Sequence, residues 1–201
     1  MFITIEGIDG CGKSTQAKRL ASRLKSLNRQ VLWTHEPGDW SSGDHLRATL
    51  LGGTLVHPLT EVMLFMADRC EHVHQMILPA LGRGEVVVCE RYNDSTRAYQ
   101  CWGRGVDRRK LESLIEWCAL PEPDLTVLLA ISPEAAAARR SSRGGADRIE
   151  SEALAFHRRV ADGFDALADE YPERIFSVDA VAPEDEISEE IFKELRRRLL
   201  L

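Results

Sequence analysis

Gly7-Ile8-Asp9-Gly10-Cys11-Gly12-Lys13-Ser14 satisfies the spacing G-x-x-x-x-G-K-[ST], between a short apolar run and a helical pattern. Glycines at these intervals let the backbone wrap closely around phosphates, and free N–H groups at a helix start point at the anion. Lys13 is expected to reach the β- and γ-phosphates of a nucleoside triphosphate, and Ser14 to ligate Mg²⁺. The segment Gly7, Ile8, Asp9, Gly10, Cys11, Gly12, Lys13, Ser14 and Thr15 is thus the expected ATP site. Cys11 fits there as a small residue, with thiol reactivity at a helix start as the alternative.

A triphosphate loop does not by itself separate a kinase from a switch or a motor. Three other segments bear on that choice. In Arg139-Arg140-Ser141-Ser142-Arg143-Gly144-Gly145-Ala146-Asp147-Arg148, four arginines share a stretch of small residues, the composition of a closing lid over about 139–150. Two phosphorylated substrates repel each other, so several cations must converge on a transferring phosphoryl group. Glu90-Arg91-Tyr92 ends an apolar run, where Glu90 is suited to hold Mg²⁺ through water and Arg91 to bind an acceptor phosphate. Phe65 and Arg69 lie four apart, a spacing that lets one helix face stack on a base and bond its edge.

The elements that must position these residues are legible as alternation. Apolar runs of strand length recur at Phe2 to Ile5, Val31 to Thr34, Val86 to Cys89, Leu125 to Ile131 and Ile175 to Val178. Helical patterns fill the gaps, with Ala17, Leu20, Ala21, Leu24 and Leu27 on one apolar face and Val160, Ala161, Phe164, Leu167 and Ala168 on another. Ser132-Pro133 reads as a helix start, and Glu184 to Arg198 as a closing helix with its charges matched to the helix dipole. The pattern predicts an α/β fold with a mostly parallel sheet, helices on both faces, and ligands beyond the carboxyl ends of the strands.

A length of 201 residues with 44% hydrophobic content suits one domain, taken here as 1–201. The net charge of −6 argues against a protein whose main surface grips a nucleic-acid backbone, although a few local cations suffice for small anions. No leader or membrane-spanning stretch is read, and Cys11, Cys70, Cys89, Cys101 and Cys118 form neither a C-x-x-C pair nor a disulfide framework, so a cytoplasmic location is expected. His72 and His74, two apart on a helix, are read as solvated side chains and not as metal ligands.

Along nearly its whole length the sequence resembles the thymidylate kinase family. The resemblance runs through Glu6-Gly7-Ile8-Asp9-Gly10, Gly12-Lys13-Ser14-Thr15, Glu36-Pro37-Gly38, Leu64-Phe65 and Ala67-Asp68-Arg69. It continues through Arg91-Tyr92, Asp94-Ser95-Thr96, Ala98-Tyr99-Gln100, Gly103-Arg104-Gly105, Pro123-Asp124-Leu125-Thr126 and Asp147-Arg148-Ile149-Glu150. It implies a five-stranded parallel sheet of the P-loop type, a homodimer, and transfer of a phosphoryl group from Mg-ATP to dTMP.

By the same resemblance Phe65 stacks on thymine, Arg69 reaches its exocyclic oxygen, Thr96 and Gln100 line the base pocket, and Tyr99 lies against the sugar. Arg91 holds the acceptor phosphate, Asp9 positions the reacting end, Glu36 and Pro37 border the substrate, and Arg139 and Arg148 reach ATP. Some members carry an arginine inside the phosphate loop where this chain has Gly10, so the catalytic cation is assigned to the lid, to Arg143. Glu90 stands where the family usually has Asp, His35 where Arg is common, Asp39 where Gly is usual and Ala130 where Asp is frequent. The alternatives are a kinase for another monophosphate such as dUMP, or a nucleotide-binding switch with little catalysis.

Overall fold

The computed structural model describes residues 1–55, 57–141 and 147–198. Strands β1 (Phe2–Glu6), β2 (Val31–His35), β3 (Val86–Glu90), β4 (Leu125–Ala130) and β5 (Ile175–Asp179) form one parallel sheet in the order β2-β3-β1-β4-β5. The central strands are mostly apolar and buried along almost their whole length, as expected where helices cover both faces. Helices α1 (Lys13–Ser26), α2 (Gly43–Gly52), α3 (Pro58–His72), α4 (Leu78–Gly82), α5 (Asn93–Thr96) and α6 (Arg108–Cys118) occupy the first part of the chain. Helices α7 (Pro133–Ser141), α8 (Leu154–Glu170) and α9 (Glu184–Arg197) complete it. No helix among the described residues is long and apolar enough to cross a membrane.

Side chains alternate across each strand, so β1 divides its residues between two cores. Ile3 and Ile5 pack with Ala17, Leu20 and Leu24 of α1 and Ile187, Ile191 and Leu195 of α9. Phe2, Thr4 and Glu6 face the other way, where Phe2 joins Val62 and Met66 of α3 and Leu111 and Ile115 of α6. A third cluster sets Val160, Phe164 and Leu167 of α8 against Leu128 and Tyr99. Leu27, expected on the buried face of α1, is instead 51% exposed, because the helix ends at Ser26 and Leu27 lies in its cap.

Local chemistry sets several boundaries. The Ser132 hydroxyl accepts from the Ala135 N–H at 3.2 Å with Pro133 opening α7, and the Asp107 carboxylate accepts from the Arg109 N–H at 2.9 Å at the head of α6. Two π-helical segments, Val73–Ile77 and Arg97–Gly103, widen the helices that start at Pro58 and Asn93. Such widenings are frequent at functional sites, and the second carries Tyr99 and Gln100.

Helix α5 is bolted to the sheet by buried charge. Asp94 accepts from Arg174 at 2.6 and 2.9 Å, from Arg97 at 3.0 Å and from the Thr126 hydroxyl at 3.1 Å, and Thr126 meets the Thr4 hydroxyl at 2.8 Å. Burial alone would raise the Asp94 pKa, but Arg174 and Arg97 outweigh it and hold the carboxyl below its ordinary range. Removing one partner of a buried ion pair leaves the others uncompensated, which typically costs ~3–5 kcal/mol. Asp94→Ala is accordingly expected to lose about that much unfolding free energy in urea titration; a loss under ~1 kcal/mol would show that this network does not anchor α5.

Candidate active site

Connections leave β1 and β3 in opposite directions along the sheet, and ligands in such folds gather at the carboxyl edge where this occurs. A cavity of about 510 Å³ opens there, within the usual size of a small-molecule site. One part is walled by the loop after β1, including Asp9, Gly12 and Lys13; the other by Phe65 and Arg69 of α3 with Thr96, Tyr99 and Gln100.

In the loop, Gly7, Gly10 and Gly12 have φ of 137°, 92° and 100°, the left-handed region that disfavours side chains. A Cβ at Gly10 would lie 2.6 Å from the Ala136 carbonyl oxygen, whereas beside Gly12 the space is open, as a phosphate cradle requires. The Lys13 ammonium donates to the carbonyls of Gly7 and Ile8, each at 3.0 Å, and lies 3.7 Å from an Asp9 oxygen. Thr15 borders the same cavity, while Ile8 and Cys11 are buried against the core. The Ser14 hydroxyl donates to Glu90 at 2.5 Å, and the other Glu90 oxygen accepts from the Trp33 indole at 3.0 Å. Ser14 and Glu90 thus form a set of hard oxygen donors of the kind that suits Mg²⁺.

Asp9 is ion-paired with Arg91 and accepts from the Tyr99 hydroxyl at 2.8 Å. Burial opposes ionisation of this carboxyl, but Arg91, Lys13 and the hydrogen bonds from Tyr99 and Arg91 outweigh it and hold its pKa far below the usual range. Arg91 has φ 67°, a rare conformation for a residue with a long side chain. Glu6 holds that bend from beneath: it accepts from the N–H of Tyr92 at 2.7 Å and from the Ser95 hydroxyl at 2.5 Å, and Ser95 in turn accepts from Arg91 at 3.0 Å. Burial, then the charge of Asp94, push the Glu6 pKa up to about 7 against the opposing effects of Ser95, Arg91 and the Tyr92 N–H.

On the other side, Arg69 donates Nε to Glu36 at 2.7 Å and Nη1 to Asn93 and Thr96 at 3.2 and 2.9 Å. The Glu36–Pro37 bond is cis, and both residues line the cavity. His72, read from sequence as solvated, is fully buried: its ring bridges Glu36 at 3.0 Å and Thr34 at 2.6 Å. Its helical neighbour by two, His74, is exposed and bonds the Cys70 carbonyl. Glu36, His72 and Cys89 bring donor atoms within 4.8 Å of one another. The first two are already bonded to each other, to Arg69 and to Thr34, and burial pushes the Cys89 thiol well up, so the group is a hydrogen-bond network.

The lid arginines divide. Arg139 and Arg140 end α7, and Arg140 donates to the Asp9 carbonyl at 2.6 Å. Arg148 is held away from the phosphate loop, donating to the Leu50 carbonyl and, at 2.6 Å, to Glu61. Arg143 lies outside the described residues. Sequence reasoning missed Glu6, Ser95 and Trp33 as parts of the site. It also missed Glu61, although Glu61, Phe65 and Arg69 are spaced four apart and share a helix face.

A phosphate-binding loop, a second pocket in the same cavity and an arginine of α7 reaching that loop define a P-loop nucleoside monophosphate kinase. The family profile described as thymidylate kinase matches residues 5–191. A thymidylate kinase of Trichlorobacter lovleyi is 42% identical, covering 99% of this chain and 98% of its own. One from Synechococcus sp. (strain JA-2-3B'a(2-13)) is 44% identical, covering 100% and 97%. The crystal structure of a thymidylate kinase from Ehrlichia chaffeensis superposes with a TM-score of 0.82 at 31% identity, covering 98% of each chain. The chain belongs to the thymidylate kinase family, ATP-dependent phosphotransferases that convert dTMP to dTDP.

The raised pKa of Glu6 has a testable sign. The unfolded chain ionises this carboxyl near 4.5 and the native state near 7, so its contribution to stability is present at low pH and is lost as pH rises through that window. Against Glu6→Gln, wild type should lose about 2 kcal/mol between pH 5 and pH 8, measured by urea unfolding of both proteins at each pH. A difference independent of pH would return Glu6 to an ordinary carboxylate.

Proposed function

We propose that Asp9, Lys13, Arg91 and Arg143 carry the transfer of the γ-phosphoryl group of ATP to dTMP. The observation that carries this reading is the Asp9–Arg91 pair, which stands where the glycine loop and the base-sized pocket open into one cavity. Lys13 and the N–H groups of Gly7, Ile8, Gly10, Cys11, Gly12, Ser14 and Thr15 bind the triphosphate, and Arg91 holds the acceptor phosphate beside it. Asp9, kept ionised, fixes Arg91 and the reacting end of the acceptor; it is far too weak a base to remove a proton early in the transfer.

Ser14 and Glu90 would hold Mg²⁺, Glu90 through water given its extra methylene relative to the family's usual Asp. Bound there, the ion neutralises charge on the β- and γ-phosphates. Phe65 stacks on the base, Arg69, Thr96 and Gln100 read its edge, Tyr99 flanks the sugar, and Glu36 and Pro37 support that wall. Arg139 and Arg148 approach ATP when the lid closes, which requires Arg148 to leave Glu61.

The same reading makes residues 1–201 one domain acting in the cytoplasm as a homodimer. The dimer is supported by the exposed apolar side chains Leu59 and Met63 of α3 and Trp117 of α6, two helices that pack together.

ADP release from Mg-ATP with dTMP, dUMP, dCMP, dAMP and dGMP offered singly tests the acceptor. Turnover should be strongest with dTMP, and dUMP should follow by ~10–200-fold in kcat/KM, the worth of one methyl group. Preference for a purine would overturn the assignments of Phe65, Arg69 and Gln100. Arg143→Ala should lower kcat by ~10²-fold or more with a smaller change in nucleotide affinity, and a wild-type kcat would move the role to Arg139 or Arg148.

A further inference from the structure

Glu61 is nearly buried on the same face of α3 as Phe65 and Arg69, yet the chemistry assigned above does not use it. One of its oxygens accepts from the Gln100 amide nitrogen at 2.7 Å, and the other from Arg148 at 2.6 Å; Arg104 reaches both, at 3.3 and 3.4 Å. Burial works against ionisation here, but Arg148, Arg104 and Gln100 outweigh it and hold the Glu61 carboxyl below its ordinary range.

An ionised carboxylate can only accept hydrogen bonds. Gln100 must therefore turn its NH₂ toward Glu61, whichever way the amide would sit by itself. Its carbonyl oxygen is left for the cavity that Gln100 lines. Arg69 borders the same cavity with Nε and Nη1 already bonded, and its Nη2 has no hydrogen-bond partner among the described residues. The pocket thus offers one fixed acceptor and one fixed donor.

We propose that Glu61 is a specificity-determining positioning residue, which locks the Gln100 amide so that the pocket accepts a pyrimidine with a protonated N3 and a C4 carbonyl and rejects cytosine. Cytosine presents a bare N3 to the Gln100 carbonyl and an amino group to the Arg69 guanidinium, acceptor against acceptor and donor against donor. Each buried group left unpaired in this way is costly, and sites built on such pairing reject the mismatched ligand strongly. Arg104, which bonds both Glu61 oxygens, belongs to the device because it keeps Glu61 charged and in place after Arg148 leaves with the closing lid. The inference rests on the reading of this cavity as the site of the acceptor base.

The test is kcat/KM for dTMP, dUMP and dCMP with wild type, Glu61→Gln and Gln100→Met. A glutamine at 61 can pair with Gln100 in either sense, so Glu61→Gln should lower the dTMP to dCMP ratio by about tenfold or more while leaving the dTMP to dUMP ratio, which reads the methyl group, within about twofold. Gln100→Met, which keeps Glu61 and its arginine pairs, should lower the same ratio. Equal losses on all three acceptors in Glu61→Gln would mean a merely structural role and overturn the inference, as would an unchanged ratio in Gln100→Met. A wild type that does not prefer dTMP over dCMP would overturn the acceptor-site reading as well, whereas a wild type that does, with unchanged ratios in the variants, overturns this inference alone.

Discussion

The ion pair between Asp9 and Arg91 joins the two halves of the site. Asp9 belongs to the loop after β1 and Arg91 to the first residue after β3, so the pair ties together the ends of neighbouring strands. Its cost is a left-handed backbone at Arg91, which Glu6 secures by accepting from the next N–H and from Ser95. Two carboxylates within one network have opposite fates because their surroundings differ: Asp9 faces cations, while Glu6 faces burial and the charge of Asp94. One stays charged at the cavity wall and the other approaches neutrality beneath it.

Much of the interior on this side of the sheet is polar and paired. Arg69, Glu36, His72 and Thr34 form one chain, Asp94, Arg97, Arg174, Thr126 and Thr4 another, and Glu61, Gln100, Arg104 and Arg148 a third. Buried charges are tolerated when compensated in this way, and their directional bonds fix side chains more tightly than apolar packing does. The cavity at the carboxyl edge is consequently walled by groups with few alternative orientations.

The five strands and their parallel order follow from runs such as Val86-Val87-Val88, since a continuous β-branched stretch between helical patterns has few other homes. The phosphate loop was legible because its chemistry is local: glycines, lysine and serine act within eight consecutive residues. What sequence could not disclose were partners set by long-range packing. His72 reads as a surface histidine until α3 is laid against β2, Trp33 looks like any strand aromatic until its indole meets Glu90, and a π-helical turn leaves no mark in an apolar period. Glu61 was within reach, since its spacing to Phe65 and Arg69 was as visible as theirs to each other.

The place of β1 in the sheet also bears on how the chain is made. Its neighbours are strands that come far later: Phe2 lies beside Val87, and Ile3 beside Leu125. A ribosome therefore releases the glycine loop long before either flanking strand exists, and loop closure over such distances is slow. Until β3 and β4 have emerged, the nascent chain carries its phosphate-binding sequence without the framework that shapes it, and nucleotide cannot assist folding until most of the protein has been synthesised.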